Sequence, residues 1–318
     1  MALRAPVISA GLACVLASGL ARAEPASTTL PPTASAPALP PAAPAWLGPS
    51  GRARTPPRFE SVGLLDAAAS VPLESVGLVA LITYTGFKDW KWGSASFRFN
   101  SEGWFGMNTG SGGLDKLGHA YGSYMTSELL YWRLRATHQG HWVSSLYPPL
   151  FSTLLYQYIE FFDGYSVDHG YSYEDTIMDG VGVTLSYLRN RFPGFRKLCD
   201  FRLFYYPSGG RSFQPMIDYQ GQKFFGALKL AGVPGLERTP FRYFELLAGY
   251  YTRGFPRYAH ADEKSTHFVL GVGLSLSEAI LGPLEQAQGE PFSFLNLASS
   301  YFESPLYVSS ERVRRRPR

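Results

Sequence analysis

Charge and cysteine are what this chain has least of. Only 17% of its 318 residues are Asp, Glu, Lys or Arg, against about 25% in an average soluble domain. With 45% hydrophobic residues beside it, that shortage excludes general disorder, which requires low hydrophobicity and high charge. Mean hydropathy is nevertheless −0.08, too low for an ordinary polytopic membrane protein. There are two cysteines, Cys14 and Cys199. The first falls in a removable leader, so the remaining thiol has no internal disulfide partner and reads as a small buried hydrophobe. Net charge is scarce as well. The formal value of +4 falls by two when Arg4 and Arg22 leave with the leader, so nothing here resembles a nucleic-acid footprint. Cys-rich zinc spacing, a Walker phosphate loop and a Gly-x-Ser-x-Gly elbow are all missing.

What is abundant is aromatic: 22 Phe, 20 Tyr and 6 Trp. Their distribution divides the chain. Residues 1–23 read as a secretory signal, with Arg4 at the start, no charge from Ala5 to Ala21, and the small-x-small site Ala21-Arg22-Ala23. Pro6, together with the Gly and Ser inside the run, counts against a membrane-spanning helix. Gly11-Leu12-Ala13-Cys14 is a poor lipid-attachment motif, because its apolar run is short. Export follows, to the periplasm or outer membrane of a Gram-negative-type bacterium. Residues 24–57 are a Pro/Ala-rich disordered linker with almost nothing to bury.

Residues 58–195 read as a helical domain. Glu60-Ser61-Val62-Gly63-Leu64 recurs as Glu74-Ser75-Val76-Gly77-Leu78, and Pro72 suits a first helical turn. Stronger helices are expected near 115–136, 150–162 and 174–191, with Pro148-Pro149 dividing the uncharged stretch from Ala136 to Ile159. After Pro193-Gly194 the hydrophobic period changes from 3.6 to 2. Residues 196–305 form the antiparallel β region, with strands at Phe213–Tyr219, Gln222–Leu230, Phe241–Thr252 and Thr266–Ser277. Residues 306–318 are a basic, solvated tail. The fold class is α+β: an N-terminal helical bundle followed by an antiparallel β-sheet or partial barrel of hairpins with Tyr-rich edges.

The scarce charge gathers in three short motifs. Asp115 and His119 lie four residues apart, on one helix face. Glu160 and Asp163 close the next helix, and Asp175 and Asp179 again share a face. Converged, they make one imidazole among up to five carboxylates, a set for a hard or borderline cation or for a carboxylate-oriented base at His119. The candidate site is therefore His119, Asp115, Glu160, Asp163, Asp175 and Asp179; Asp115, His119, Asp175 and Asp179 are the ligand set for a divalent metal ion, and His169 is a further ligand from a loop. Lys116 sits about 100° around the helix and need not join. A structural account stands beside this one: Ser172 and Asp175 resemble a capping box, Asp115 follows Gly112-Gly113 as an N-cap, and Glu160 and Asp163 can pair with Lys116, Arg189 or Arg191.

Asp115-Lys116-x-x-His119, Glu160-x-x-Asp163-Gly164 and Ser172-x-x-Asp175-x-x-x-Asp179-x-x-Gly182, in that order, resemble the YfiM-type predicted periplasmic lipoproteins of unknown function. More distantly they resemble the VanZ-like membrane proteins linked to glycopeptide resistance. The resemblance covers about residues 85–195, and Asp218-Tyr219-Gln220-Gly221-Gln222 is similar to the strand region of longer members. Position 179 is Asp where the pattern usually has Asn, and a convincing lipid-attachment motif is missing. The resemblance implies an envelope protein with a polar core and no established reaction. Membrane lipid or envelope components are the expected partners, in a structural, lipid or cell-wall role. The alternative is a metal-dependent hydrolase acting on a lipid or peptidoglycan precursor; a third reading is an acyl-chain binder.

Overall fold

The computed structural model describes residues 63–137, 140–208, 218–255, 263–288 and 290–317. The expected signal and linker lie outside these residues, as does most of the strand expected at Phe213–Tyr219. The chain is α+β, with most of its helices preceding a single antiparallel sheet.

Helix α1 (Leu64–Ser70) and helix α2 (Pro72–Lys88) meet at an 81° bend with Pro72 opening the second. Among the described residues no single helix is long and apolar enough to cross a membrane, although this bent pair passes the same test when taken together. Three long helices follow: α3 (Leu114–Ala136), α4 (His141–Asp163) and α5 (Tyr173–Arg191). They pack on one another, α3 against α5 most closely. Gly182 is what permits that approach, since a Cβ there would lie 2.0 Å from the Ala120 carbonyl oxygen. Helix α4 corrects one expectation, because it runs unbroken through Pro148 and Pro149. Each proline forfeits a backbone donor, but Tyr147, immediately before them, packs into a core with Leu130, Leu134, Val143, Ala67 and Val71. Tertiary burial of this kind overrides a local preference.

After the short helix α6 (Pro193–Leu198) the sheet runs as a meander: β1 (Cys199–Tyr205), β2 (Gln222–Lys229), β3 (Phe244–Arg253), β4 (Glu263–Leu274) and β5 (Tyr307–Pro317), in sequence order. Strand β3 starts later than the pattern suggests, because Pro240–Tyr243 forms a 3-10 turn. Two helices, α7 (Gly282–Gln288) and α8 (Glu290–Ala298), interrupt a region expected to be all strand. The segment read as a basic tail is instead β5, paired with β4 from Gly273↔Tyr307 to Glu263↔Pro317. The sheet also curls. Leu203 of β1 makes a parallel bridge to Phe302, and the Phe225 and Tyr307 rings meet 5.4 Å apart although their strands are not neighbours. One side of the sheet packs on α3 through Tyr121, Tyr124, Leu203, Phe224, Tyr250 and Tyr301. The helices are thereby seated on the sheet, with their polar motifs turned toward one another beside this aromatic layer.

Candidate functional site

The loop of residues 89–113 and the facing sides of α3, α4 and α5 converge on a polar centre. Its entry into α3 depends on Gly113, whose φ of +86° belongs to the left-handed region that glycine tolerates. The loop is fastened to the sheet: Tyr250 Oη donates to the Gly112 carbonyl and Thr252 Oγ1 donates to that of Ser111 at 2.9 Å. At the other wall Ser172 caps α5, its Oγ accepting from Asp175 N at 3.3 Å. Both devices set the first turns of α3 and α5, where the acids lie.

The centre has two halves. In the first, Lys116 Nζ is buried and lies 3.0 Å from Glu102 Oε2, 3.0 Å from Asp115 Oδ2 and 2.8 Å from Asp175 Oδ1. Ser111 Oγ donates to the other Asp115 oxygen. Burial alone would raise the Asp115 carboxyl, but Lys116 and these hydrogen bonds outweigh it and hold it down at about 2. Lys116 is held above the usual lysine value: burial works against it, and Asp115, Asp175 and Glu102 outweigh burial. This half carries its own cation.

The second half centres on His119. Its Nδ1 lies 3.2 Å from Asp179 Oδ1 and 3.6 Å from Glu160 Oε1, while Nε2 lies 3.8 Å from Asp175 Oδ1. Ligand atoms of His119, Glu160 and Asp175 all fall within 4.8 Å of one another. Burial would lower the imidazole, yet Asp179, Asp175 and Glu160 together hold it well above its ordinary value. Glu160 accepts from Ser172 N at 3.2 Å; burial pushes its carboxyl up to about 8, with His119 opposing and the other acids adding to the rise. Burial likewise raises Asp179. Asp179 is 2% exposed, and its Oδ2 is buried without a hydrogen-bond partner. Only the imidazole reaches solvent, its side chain being 24% exposed.

The structure thus brings His119, Glu160, Asp175 and Asp179 together and places Asp115 on the Lys116 side, joined to the rest through Asp175. Asp163 stands at the rim, accepting from Trp92 Nε1 at 2.7 Å; burial pushes it up to about 6 despite that bond. His169 contributes its carbonyl, which accepts from Arg98 Nη2 at 2.9 Å and Asn100 Nδ2 at 3.1 Å. The pairings offered for Glu160 and Asp163 are not those found, since Arg189 pairs with Asp200. Lys116 and Glu102 are the members that sequence reasoning left out. For Lys116 the signal was present, an ammonium beside Asp115 in a chain poor in charge; a neighbour 100° around a helix still reaches the same centre when its four-carbon stem bends back. Glu102 carried no periodic signal, because it sits in a loop.

Chemically, six carboxylates face one ammonium and one imidazole. The surplus negative charge is buried, so it must be met by protons, as the raised Glu160 and Asp163 show, or by a cation.

An α+β chain with a buried acid–imidazole centre between three helices is the class that fold and site define. Residues 101–191, under a third of the chain, match the family described as "Predicted periplasmic lipoprotein (DUF2279)". That span contains every residue of the His119 half, and the match fits an exported, envelope-located protein of unknown activity. Neither a search among curated proteins nor one among solved structures finds a match.

Proposed function

We propose that this chain is a cell-envelope protein whose helical unit binds a divalent cation at His119, Glu160 and Asp179, with Asp175 shared between that ion and Lys116. The observation that carries this reading is the Asp179 Oδ2 atom, a carboxylate oxygen buried without a partner in a half-site that already holds more acid than base. The Glu102, Asp115 and Asp175 group is the contrast: it could also hold an ion by spacing, but Lys116 fills it. A mixed nitrogen and oxygen donor set suits Zn²⁺, Mn²⁺ or another borderline to hard divalent ion. His119 would give one ring nitrogen to the ion and keep the other for a carboxylate, the usual orienting arrangement.

The role proposed is structural or lipid and cell-wall related, at the outer membrane. Kinship with the YfiM-type and VanZ-like proteins belongs to the same proposal, supported by the motif order and by the periplasmic lipoprotein match. The hydrolase reading finds no support in the comparisons. The deciding experiment is metal analysis of purified protein, wild type against His119→Ala and Asp179→Asn. Retention of about one divalent ion per chain by the wild type, lost in both variants, is the expected result. Equal metal content in all three, or none in the wild type together with no cation-induced rise in melting temperature, overturns the proposal. A cation at 100 times its Kd should stabilise the fold by about 2.7 kcal/mol.

A further inference from the structure

The sheet has two faces, and both carry apolar clusters. Antiparallel sheets of water-soluble proteins alternate apolar inward with polar outward. Here Phe225, Ala227, Leu247, Tyr251 and Val269 form the inner face of the curled sheet. The register puts Leu228, Leu246, Val272 and Val308 in one row across four strands on the opposite face, the face whose Leu203, Phe224 and Tyr250 carry α3. This row lies toward the other ends of the strands, beyond the helix. Leu270 and Phe268 stand beside that row, and all six are exposed, Leu270 by 68% and Val308 by 83%.

Charge is sorted between the faces in the same way. By the pairing register, the strand carboxylates Asp200, Glu245, Glu263 and Glu311 all belong to the inner-face set. The outer-face set has no acid among the described strand residues. It has base instead: Lys264 is the second residue of β4, and Arg312 and Arg314 stand opposite Phe268 and Thr266, both exposed.

We propose that the exposed part of this face, beyond the strip covered by α3, docks on an anionic phospholipid bilayer, its aliphatic row entering the acyl boundary and Arg312 and Arg314 meeting phosphate headgroups. Apolar surface bordered by cations alone is what an anionic membrane surface selects. A second copy of the chain is a poorer occupant: a two-fold contact sets the same patch against itself, so arginines would meet arginines with no carboxylate on that face to separate them. The chain's own residues 1–62 are also basic, with Arg4, Arg22, Arg52, Arg54 and Arg58 against Glu24 and Glu60. This inference does not rest on the cation centre, and its test is run with chelator present so that the two stand or fall separately.

The test is cosedimentation of the full chain with vesicles of phosphatidylcholine alone or of phosphatidylcholine mixed with phosphatidylglycerol. Wild type, Leu246→Asp with Leu270→Asp, and Arg312→Glu with Arg314→Glu are compared, with circular dichroism checking the fold. Leu246→Ser with Leu270→Ser is a milder pair that keeps the test valid if the aspartates disturb the sheet. Wild type should pellet with the phosphatidylglycerol vesicles. The leucine variants should bind both vesicle types about tenfold more weakly. The arginine variant should lose about tenfold on the anionic vesicles only. Wild type that stays in solution with both, or variants that pellet as wild type does, overturns the proposal. So does a vesicle-free dimer that the leucine variants dissociate, because the occupant would then be a second copy.

Discussion

Lys116 and Asp175 show how much one side chain decides here. Asp175 has two jobs: its backbone N–H is capped by Ser172 and its carboxylate joins the Lys116 half to the His119 half. Asp175→Ala removes one of the three carboxylates about a buried ammonium and should cost about 2–4 kcal/mol in urea unfolding. A change below about 0.5 kcal/mol would be that of an ordinary surface site and would sink the role. The pH dependence follows from the raised groups. Glu160 holds a proton in the folded chain up to about pH 8 that the unfolded chain releases near its ordinary value. Its stabilising contribution is complete below that ordinary value and drains away as pH rises through about 8; His119, also raised, is lost in the same direction. Asp163 adds a smaller loss through about pH 6. In chelator-treated protein the melting temperature should therefore fall steadily between about pH 5 and about pH 9, and scanning calorimetry across that range checks it. A flat or rising profile would show the acids to be ionised and compensated in some other way.

At the scale of elements, the parts legible in the sequence are those whose pattern matches their environment. Helices α3 and α5 and strands β2 and β4 present a clear period, and two of the three polar motifs lie on α3 and α5 in plain view, the third closing α4. Strand β1 was missed because Asp200 and Arg202, which would ordinarily face water, turn inward to pair with each other at 2.7 Å. Strand β5 was missed because Arg312 to Arg316 reads as a charge cluster, and only its partner reveals it: nothing in the tail says that β4 offers an unpaired edge. Helix α4 was cut in two at Pro148-Pro149 because the rule for prolines is local and the packing of Tyr147 is not. The convergence of the site depended on the same invisible long-range contacts. Spacing placed each pair on a face, but the close approaches that bring those faces together, Gly182 against Ala120 and Gly122 against Tyr156, carry no local signal. Deleting residues 306–318 separates the two descriptions of that segment. A frayed tail could be removed without effect, whereas loss of β5 leaves β4 as a bare edge. The truncated protein should aggregate, or melt at least several degrees lower by circular dichroism. A soluble truncation with wild-type melting would return the segment to the tail description.

The helical and β parts are joined by a second buried polar network. Asp200 of β1 is contacted by Arg189 of α5, by Arg202 Nη2 at 2.7 Å and by Lys229 Nζ of β2 at 2.8 Å. Arg202 continues to Glu245 of β3 at 2.6 Å and to Glu303 at 3.3 Å. Next to it, Glu128 of α3 accepts from Ser186, Asn190 and Tyr301 at 2.8, 2.7 and 2.6 Å. These bonds run from helices to strands and from the first strand to the segment that leads into the last. Burial alone would raise Asp200, yet Lys229, Arg189 and Arg202 hold it far below the carboxylate range, so its negative charge is what joins those three cations. Asp200→Asn keeps the shape and removes the charge, leaving Arg189 and Lys229 buried with too little to pair them, a loss of about 3–5 kcal/mol. Because Asp200 is paired with both the helical part, through Arg189, and the β part, through Arg202 and Lys229, the loss should appear as one cooperative transition shifted as a whole. Far-ultraviolet circular dichroism, dominated by helix, and near-ultraviolet signals from the tyrosines on the sheet should move to a lower midpoint together. If the sheet signal shifts while the helical melt stays in place, the two parts are independent units, and the network joins them in space without joining them in stability.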